Sequence, residues 1–374
     1  MRQSWTHVPT GGPLQRPVPG DRLCPTCGTV TVAAACLDDG SATVGLPGPW
    51  PERPQPRFGQ LVAGRYRIIG WLGSGGFGEV LDAWHLGTRQ RVALKMLHSD
   101  AHSRANVVER FRHEARLLAG LRHPNTVRVH DFGETEAGEL FLCMERLEGE
   151  SLEAVLERDG RLAPGQAAAI AVEVLGALAE ASACGVVHRD LKPDHVFLCD
   201  VPGGARVVKV IDFGIAKVVA GDAPGPLTAE GLVVGTPHYM SPEQIRGEAL
   251  DVRSDLYALG VVLYRCLAGR LPFDGPTGLA VAMAHLQQAP PPLPDDIDDP
   301  RFEGHVLQAL AKSAGQRFAS AADMAAALKD HADAAIQPRA GATAAALAGP
   351  GVATTRAQRR HAVVVQVADG EAAV

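Results

Sequence analysis

A run of glycines between two strand-like segments is the first feature of the sequence that can do chemistry. Residues 72–80 read LGSGGFGEV. Because glycine has no Cβ, the backbone of such a turn can come within hydrogen-bonding distance of phosphate oxygens. A strand-like segment follows the turn, whereas a dinucleotide-binding loop leads directly into a helix. The pattern therefore indicates either a phosphate-binding turn or an ordinary hairpin.

A lysine ends the next apolar segment, whose residues 92–95 read VALK. A lysine among strand residues is costly to bury unless an anion meets it. The sequence offers two anions for Lys95: a bound phosphate, or the carboxylate of Glu114 in the helical segment that follows. An exposed strand lysine is the alternative interpretation.

Cysteines near the amino terminus have the spacing of metal ligands. Cys24 and Cys27 belong to the segment CPTCG, and the related segment CLDDG places Cys36 and Asp39 at the same spacing. Zinc accepts both thiolate sulfur and carboxylate oxygen, so this donor set is chemically suited to Zn²⁺. Residues 24–40 therefore predict either a small zinc knuckle or a metal-free tail.

Two further motifs are much more specific. Residues 188–195 read HRDLKPDH, and residues 211–214 read IDFG. Together with the glycine turn and Lys95, in this order, they resemble the eukaryotic-type, bacterial serine/threonine protein kinase family. The segment GTPHYMSPE at 235–243 extends the resemblance, which runs over residues 66–332.

The resemblance implies an α+β fold of two lobes. Residues 66–147 would form a small antiparallel-sheet lobe with one main helix, and residues 148–332 a larger, mostly helical lobe. It also implies transfer of the γ-phosphate of ATP to serine or threonine hydroxyls of proteins, with Mg²⁺ or Mn²⁺ as the metal.

Phosphoryl transfer depends on positioning and charge neutralisation, and the resemblance assigns these tasks to matched residues. Asp190 would act as the catalytic base, and Lys192 would steady the γ-phosphate. Lys95, oriented by Glu114, would hold the α and β phosphates. Asp212 would hold magnesium, since a hard cation prefers carboxylate oxygen. The ATP-binding set implied by the family comprises Leu72, Gly73, Gly75, Gly78, Val80, Ala93, Lys95, Met144, Glu145, Leu147 and Phe197.

One position departs from the family's pattern. His195 stands where these kinases usually place an asparagine that holds the second magnesium. An imidazole nitrogen is softer than an amide oxygen and prefers manganese or later transition metals. Two hypotheses follow: catalysis through the metal at Asp212, or a nucleotide-binding pseudokinase scaffold.

The resemblance also implies regulatory and supporting residues. Arg189 would grip a phosphate on the activation segment, where Thr228 is the best acceptor. Glu243 and Arg317 would form an ion pair, and Asp255 would anchor the backbone of the catalytic loop. Because buried charges without partners are expensive, we expect both acids to be satisfied internally.

These side chains need particular elements to position them. Alternation and helical periodicity predict three strands and one helix for the small lobe, over Tyr66–Leu72, Gly78–Trp84, Arg91–Leu97 and Val107–Leu121. Brief strands are predicted around the second pair of motifs, at Val196–Cys199 and Val207–Ile211. Helices dominate the larger lobe, over Leu152–Glu157, Pro164–Ala183, Ser254–Ala268, Leu307–Lys312 and Ala321–Ala332.

The two ends of the chain lack such patterns. Residues 1–57 are rich in Pro and Gly, and apart from the knuckle we expect a flexible region. Residues 338–374 are rich in Ala and Gly without a core pattern, and we expect disorder there.

Composition limits the partners and the compartment. With 36 Lys and Arg against 42 Asp and Glu, the net charge of -6 disfavours a nucleic-acid partner. The longest candidate membrane segment, 340–355, is too short and is interrupted by Pro350, so we expect no membrane span. Seven irregularly spaced cysteines indicate a reducing compartment, and we expect a cytoplasmic protein. The sequence leaves the oligomeric state open.

Overall fold

The computed structural model describes most of the chain in several stretches. They are residues 20–46, 57–75, 78–97, 105–201, 204–214, 237–297 and 299–332, with the backbone of Val365–Gln366. Two compact units divide the chain. The first, which we call the sheet unit, comprises Met1–Ala115, Val129–Leu147 and Val363–Val374. The second, which we call the helical unit, comprises Arg116–Arg128 and Glu148–Ala362.

The sheet unit is built from mostly antiparallel strands. They are β1 (Arg22–Leu23), β2 (Val30–Thr31), β3 (Val44–Gly45), β4 (Leu61–Val62), β5 (Tyr66–Gly75), β6 (Gly78–His85), β7 (Gln90–Leu97), β8 (Val129–Glu134), β9 (Leu140–Glu145) and β13 (Val365–Gln366). The main sheet has the order β13-β5-β6-β7-β9-β8, with β4 also paired to β5. Helix α1 (Ala105–Gly120) connects β7 to β8.

One face of the main sheet forms an apolar core. Val92, Leu94 and Met96 alternate along β7 and are at most 5% exposed, because successive side chains of a strand point to opposite faces. They pack with Tyr66 and Phe141, whose rings meet edge to face at 5.7 Å. Burial of this face fixes the register, since a slip of one residue would exchange its two faces.

The amino-terminal region requires a correction. We predicted flexibility over residues 1–57 apart from a zinc knuckle at 24–40, with a hairpin arm as an option at Thr29–Ala35. The ordered segment is longer, since residues 20–46 fold into a three-stranded antiparallel sheet with the order β2-β1-β3. This sheet packs on the main sheet through Leu23, which is fully buried with Phe58 and Ile69. Three short strands form a stable element here because their apolar residues share a core with the main sheet.

The carboxy-terminal segment contributes one strand. In β13, Val365 and Gln366 pair in parallel with Gly73 and Ser74 of β5. The rest of residues 338–374, where we expect disorder, lies outside the described residues.

The helical unit contains most of the helices. They are α2 (Leu152–Asp159), α3 (Pro164–Ala183), α4 (Pro242–Arg246), α5 (Val252–Ala268), α6 (Gly278–Gln287), α7 (Pro300–Ala309) and α8 (Ala321–Leu328). A small antiparallel sheet joins β10 (Gly149–Ser151), β11 (Val196–Asp200) and β12 (Arg206–Val210) in that order. Helix α3 is long and apolar enough to cross a bilayer. However, 56% of its apolar stretch is buried inside the protein, as in the core helix of a globular domain.

Polar residues start several of these helices. Ser151 caps α2 by accepting from the Ala154 amide, and Asp251 caps α5 by accepting from the Arg253 amide. Ser241 and Gln244 form a reciprocal capping box at α4. Such side chains satisfy backbone N–H groups that have no partner within the helix. They therefore fix where these helices begin.

Candidate functional site

The sheet unit gathers the predicted nucleotide-binding residues on one face. Lys95 of β7 lies opposite Val80 of β6, and Ala93 lies opposite Met144 of β9. Directly opposed residues share a face, and residues 93 and 95 point away from the apolar core that Leu94 helps to form. One surface of the sheet therefore presents the lysine beside three apolar side chains.

The glycine turn lies at one end of this face. Gly73 pairs with Val80, and Gly75 pairs with Gly78 where the turn closes. A Cβ at residue 78 would lie 2.0 Å from the carbonyl oxygen of Met96. The backbone approach therefore requires glycine at this position. Residues 76–77 lie outside the described residues.

The remaining predicted positions of the sheet unit lie on neighbouring elements. Leu72 is 7% exposed on β5, and Glu145 ends β9 opposite Val92. Leu147 follows β9, and Glu114 lies on α1. The pairing of Glu114 with Lys95 stays a prediction.

Sequence reasoning missed a buried acid in the same sheet. Asp82 of β6 is fully buried and forms ion pairs with Arg91 and Arg146. The Arg146 Nε atom lies 3.0 Å from Asp82 Oδ2. A buried carboxylate needs such partners, and this pair ties the residue after β9 to the middle of the sheet. The signal in the sequence was an acidic residue between the apolar residues of a predicted strand.

In the helical unit, buried side chains hold the backbone of residues 188–195, which we call the catalytic loop after the role that the resemblance implies. The carboxylate of Asp255 on α5 is 2% exposed and accepts hydrogen bonds from the backbone amides of His188 and Arg189, at 2.7 and 2.9 Å. The side-chain amide of Gln244 donates to the Arg189 carbonyl at 2.7 Å. The expected anchoring role of Asp255 is confirmed, and Gln244 is a further support that sequence reasoning missed.

Buried backbone contacts join the two motifs of this unit. His188 is fully buried with its Nε2 atom 3.0 Å from the Ile211 carbonyl, so Nε2 carries the proton. The Gly214 amide donates to the His188 carbonyl at 3.0 Å, and a Cβ at residue 214 would lie 2.8 Å from that oxygen. Burial, with a smaller effect of nearby His195, lowers the pKa of His188 to about 4. A neutral histidine thus connects the HRD and DFG segments.

His195 is oriented toward the predicted metal ligand. Its Nδ1 atom lies 2.6 Å from the Asp190 carbonyl oxygen, which can only accept, so Nδ1 carries the proton. In the neutral tautomer this leaves a lone pair on Nε2, which lies 3.8 Å from Asp212 Oδ2. This nitrogen and this carboxylate are close enough to serve as ligands of one divalent cation.

Two residues of the site adopt backbone conformations that are uncommon outside glycine. Arg189 has φ 64 and Asp212 has φ 58, and such strain persists only where surrounding structure imposes it.

The carboxylate of Asp190 is 3.5 Å from His195 Nδ1, and the Lys192 Nζ atom is 3.8 Å from Asp194 Oδ2. Phe197 of β11 is fully buried. The contacts of His195 with the carboxylates of Asp190 and Asp212 bring these three residues together.

The predicted ion pair of the helical unit is confirmed. Arg317 donates to both oxygens of Glu243, at 2.7 and 2.8 Å, and Ser254 donates to the same carboxylate at 2.7 Å. Although burial opposes ionisation, the Arg317 and Ser254 hydrogen bonds lower the pKa of Glu243. Arg317 also donates to the carbonyl of Ala311. Both acids that we expected to be internally satisfied, Glu243 and Asp255, have their partners.

The predicted zinc ligands converge in the sheet unit. Donor atoms of Cys24, Cys27, Cys36 and Asp39 all lie within 4.8 Å of one another. The Cys24 Sγ atom is 3.3 Å from Asp39 Oδ2, and the Cys27 and Cys36 Sγ atoms are 3.5 Å apart. Four donors around one point match the ligand number of a tetrahedral zinc site.

The two halves of this cluster share one backbone pattern. The Gly28 amide donates to the Cys24 carbonyl and the Gly40 amide to the Cys36 carbonyl, at 2.9 and 3.0 Å. Both glycines have positive φ, 89 and 71. The amides of Cys24 and Cys36 each donate to the carbonyl five residues ahead, that of Thr29 or of Ser41, at 2.8 Å. Asp39 therefore occupies in the second turn the place that Cys27 occupies in the first.

The thiols of the cluster differ in acidity. Burial raises the pKa of Cys24 to about 12, whereas hydrogen bonds from Thr29 outweigh burial and lower that of Cys27. The backbone hydrogen bond from Ser41 lowers the pKa of Asp39 to about 2. Without a cation the Cys24 thiol keeps its proton at neutral pH, so metal binding here would release protons.

Comparison with known proteins places this geometry in a family. The protein kinase domain model matches residues 66–317. Serine/threonine-protein kinase pkn3 of Myxococcus xanthus is 43% identical over 268 residues, which cover 70% of this chain and 49% of the relative. Serine/threonine-protein kinase PknA of Mycobacterium tuberculosis is 42% identical over 269 residues, which cover 71% of this chain and 61% of the relative.

Solved structures agree. The crystal structure of the Mycobacterium tuberculosis PknI kinase domain has a TM-score of 0.58 and 29% identity, covering 73% of this chain and 98% of that chain. The chain therefore belongs to the protein kinase family, within its bacterial serine/threonine branch, and has that family's bilobal α+β fold. The matched region spans 49% and 61% of the length of these two curated relatives.

Proposed function

We propose that the protein transfers the γ-phosphate of ATP to serine or threonine hydroxyls of protein substrates, in the cytoplasm of a bacterium. The observation that supports this most strongly is the convergence of Asp190, His195 and Asp212 on a loop held by buried Asp255. Such a loop is already ordered before the reaction, so no free energy is lost on ordering it. Preorganised charge is the main protein contribution to phosphoryl transfer.

Each predicted residue would have its own role. In the helical unit, Asp190 would orient the substrate hydroxyl and accept its proton, and Lys192 would neutralise charge that develops on the transferred group. In the sheet unit, Lys95 and the backbone of Gly73–Gly75 would hold the phosphates. Val80, Ala93 and Met144 offer the apolar surface that an adenine ring requires, with the rest of the predicted ATP-binding set around them.

We propose that the donor pair of His195 and Asp212 holds a divalent cation with a preference shifted from Mg²⁺ toward Mn²⁺. The tautomer fixed by the Asp190 carbonyl leaves a nitrogen lone pair beside a carboxylate oxygen, and imidazole suits softer cations than magnesium. When bound, the cation would neutralise the phosphates of ATP. His195 would thus donate to the loop carbonyl through Nδ1 and offer Nε2 as a ligand atom where the family usually has a metal-binding asparagine.

Autophosphorylation with radiolabelled ATP tests the proposal. We expect the wild-type chain to be active, with a higher rate in Mn²⁺ than in Mg²⁺, and His195→Asn to restore the preference for Mg²⁺. Asp212→Ala should lose at least about 100-fold in rate with either metal, since it removes a metal ligand. Binding of Mn²⁺ measured by electron paramagnetic resonance should weaken in both variants, independently of turnover.

The pseudokinase hypothesis is the alternative, and the departure at His195 is the observation that favours it. It predicts nucleotide binding by calorimetry in the wild type but no phosphate transfer in Mg²⁺, in Mn²⁺ or in the His195→Asn variant. Absence of nucleotide binding with either metal would contradict both functions.

Regulation by phosphorylation is a further part of the proposal. Arg189 adjoins Asp190, and its backbone is held on both sides by Asp255 and Gln244. Its predicted partner, phosphorylated Thr228, lies outside the described residues. Mass spectrometry of the active protein should find phosphate on Thr228, and an active enzyme without phosphate there would refute this role.

We also propose that Cys24, Cys27, Cys36 and Asp39 bind one structural zinc ion. The repeated backbone pattern of the two turns supports this assignment. Plasma emission spectrometry of protein purified without chelators should find about one zinc per chain. Cys24→Ser should abolish it, whereas the same substitution at Cys184, which lies far along the chain at the end of α3, should leave it unchanged.

A further inference from the structure

Arg67 connects the zinc cluster to the main sheet. Its Nε atom donates to the Pro25 carbonyl at 3.0 Å, Nη2 donates to the Thr26 carbonyl at 2.6 Å, and Nη1 donates to the Gly59 carbonyl at 2.9 Å. Pro25 and Thr26 are the two residues between the ligands Cys24 and Cys27. One side chain of β5 therefore holds the loop that carries half of the donor set.

The charge of Arg67 suits a bound metal better than an empty cluster. Arg67 donates its three hydrogen bonds to neutral carbonyl oxygens, while burial lowers its pKa and the nearby Cys27 and Cys24 oppose that shift. Zinc with three thiolates and one carboxylate carries a net negative charge. A partly buried guanidinium beside such a complex would offset this charge, as groups around metal ligands commonly do.

The position of Arg67 on β5 extends its effect toward the glycine turn. The same strand runs from Tyr66 to Gly75, and Arg67 lies opposite Trp84 of β6. Ile69 and Trp84 pack against Leu23 in the cluster that joins the β2-β1-β3 sheet to the main sheet. The knuckle is thus bonded and packed to the two strands that form the proposed phosphate-binding turn.

We propose that Arg67 couples zinc binding at the knuckle to nucleotide binding at the glycine turn, as a positioning residue that acts through β5. This inference rests on the proposed kinase function. Zinc would order the 24–27 loop, the ordered carbonyls would hold Arg67, and β5 would then present Gly73–Gly75 in a single conformation. A chain without zinc would populate other conformations of β5 and bind ATP more weakly.

The test compares the zinc-loaded and the chelator-stripped full chain without any substitution. The dissociation constant of a fluorescent ATP analogue is titrated in both states, and zinc affinity is measured against a chromophoric chelator with and without ATP. We expect stripping to weaken nucleotide binding about fivefold or more, within the usual range of coupling between sites. By linkage, ATP must tighten zinc binding by the same factor.

Variants locate the coupling. Arg67→Gln should weaken zinc binding about tenfold or more, as loss of a residue around the ligands typically does, and should make nucleotide affinity independent of zinc. Arg112→Gln is the matched control, because Arg112 lies in the same unit and forms an exposed pair with Glu134. It should keep both the zinc affinity and the coupling of the wild type.

Each result decides the proposal. Equal nucleotide affinity in the zinc-loaded and stripped chains would overturn the coupling while leaving the kinase function intact. Wild-type zinc affinity in Arg67→Gln would overturn the role of Arg67. Failure of both chains to bind nucleotide would instead contradict the kinase function, and the zinc titration would still report separately on Arg67.

Discussion

Two loops of this chain carry candidate metal ligands, and the protein holds them in different ways. The catalytic loop of the helical unit is anchored from behind by the buried carboxylate of Asp255. In the knuckle of the sheet unit, the exposed acid Asp39 is itself one of the candidate ligands. Its backbone is held by its own turns and by Arg67. Its ligand atoms mostly contact one another.

This difference separates the effects of the two metals. A loop whose backbone is bonded to a buried acid is ordered before any cation binds, so the cation contributes to chemistry more than to folding. A loop whose ligands have mainly one another as partners gains order when the cation binds, and binding free energy then becomes folding free energy. We expect loss of the catalytic metal to reduce activity alone and loss of zinc to reduce stability as well.

The largest effect should come from the buried ion pair that supports the helical unit. Arg317→Ala would leave Glu243 ionised, buried and without its bidentate partner. We expect the free energy of unfolding of the helical unit to fall by about 3 to 5 kcal/mol. Urea denaturation followed by circular dichroism measures it. Arg161→Ala, which breaks an exposed pair with Asp296, should cause no measurable change, and equal losses in the two variants would refute the distinction.

The anchor of the catalytic loop should have the next largest effect. Asp255→Asn replaces one carboxylate oxygen with an NH₂ group that faces a backbone N–H donor. The loss should be about 2 to 3 kcal/mol, because a hydrogen bond to a charged acceptor is removed. The same substitution at Asp251, the amino-terminal cap of the same helix, should be nearly neutral because asparagine caps equally well. If both variants unfold at the wild-type urea concentration, Asp255 does not anchor the loop.

Acid should destabilise the helical unit through His285. This side chain is fully buried beside Tyr257, whose hydroxyl is 2.9 Å from Nδ1, and burial, with a smaller effect of nearby Lys312, lowers its pKa to about 3. The unfolded chain therefore binds a proton below pH 6.5 that the folded chain does not, and stability falls as the pH falls. Between pH 6.5 and pH 5 the contribution is about 2 kcal/mol.

Urea denaturation across this pH range measures the effect against His285→Gln. The variant lacks the titrating group, so its stability should depend less steeply on pH, while other groups titrate equally in both proteins. Parallel profiles would show that His285 takes up its proton without unfolding.

Sequence patterns predicted the helical unit's site better than the structure around the knuckle. The resemblance to a known family assigned roles to single residues in the motifs at 188–195 and 211–214 and to Asp255, Glu243 and Arg317, and periodicity gave the bounds of α3. The reason is that each of these residues serves a chemical need that few other side chains meet. Strands β8 and β9 were missed, because Leu140–Glu145 is apolar without alternation, and the predicted helix at 307–312 ends instead at Ala309 after starting at Pro300.

The contacts of Arg67 could not be predicted from sequence. Its partners are the carbonyl groups of Pro25, Thr26 and Gly59, and a backbone carbonyl is present at every residue. Nothing in the residue types therefore marks this contact. Strands β1 and β3 beside the knuckle were missed for a related reason, since these short strands are ordered by burying Leu23 against a distant part of the chain.

The smallest predicted effects compare glycines of the two units. Gly28 in the first knuckle turn has φ 89, where a side chain is strained although a Cβ would only touch Arg67 at 3.4 Å. Gly28→Ala should therefore cost about 1 to 2 kcal/mol and weaken zinc binding. Gly304 within α7 has open space around it, and Gly304→Ala should stabilise by about 0.5 to 1 kcal/mol through helix propensity.

Calorimetry on the zinc-loaded chains should show a lower melting temperature for Gly28→Ala and a higher one for Gly304→Ala. Zinc removal separates backbone strain from metal binding. The stability lost in Gly28→Ala should also be lost in the stripped protein if the turn keeps its hydrogen bond from the amide of residue 28 to the Cys24 carbonyl. It should vanish if the turn depends on zinc, as the comparison of the two loops requires. A deficit of unchanged size without zinc would show that the knuckle, like the catalytic loop, is ordered before its metal binds.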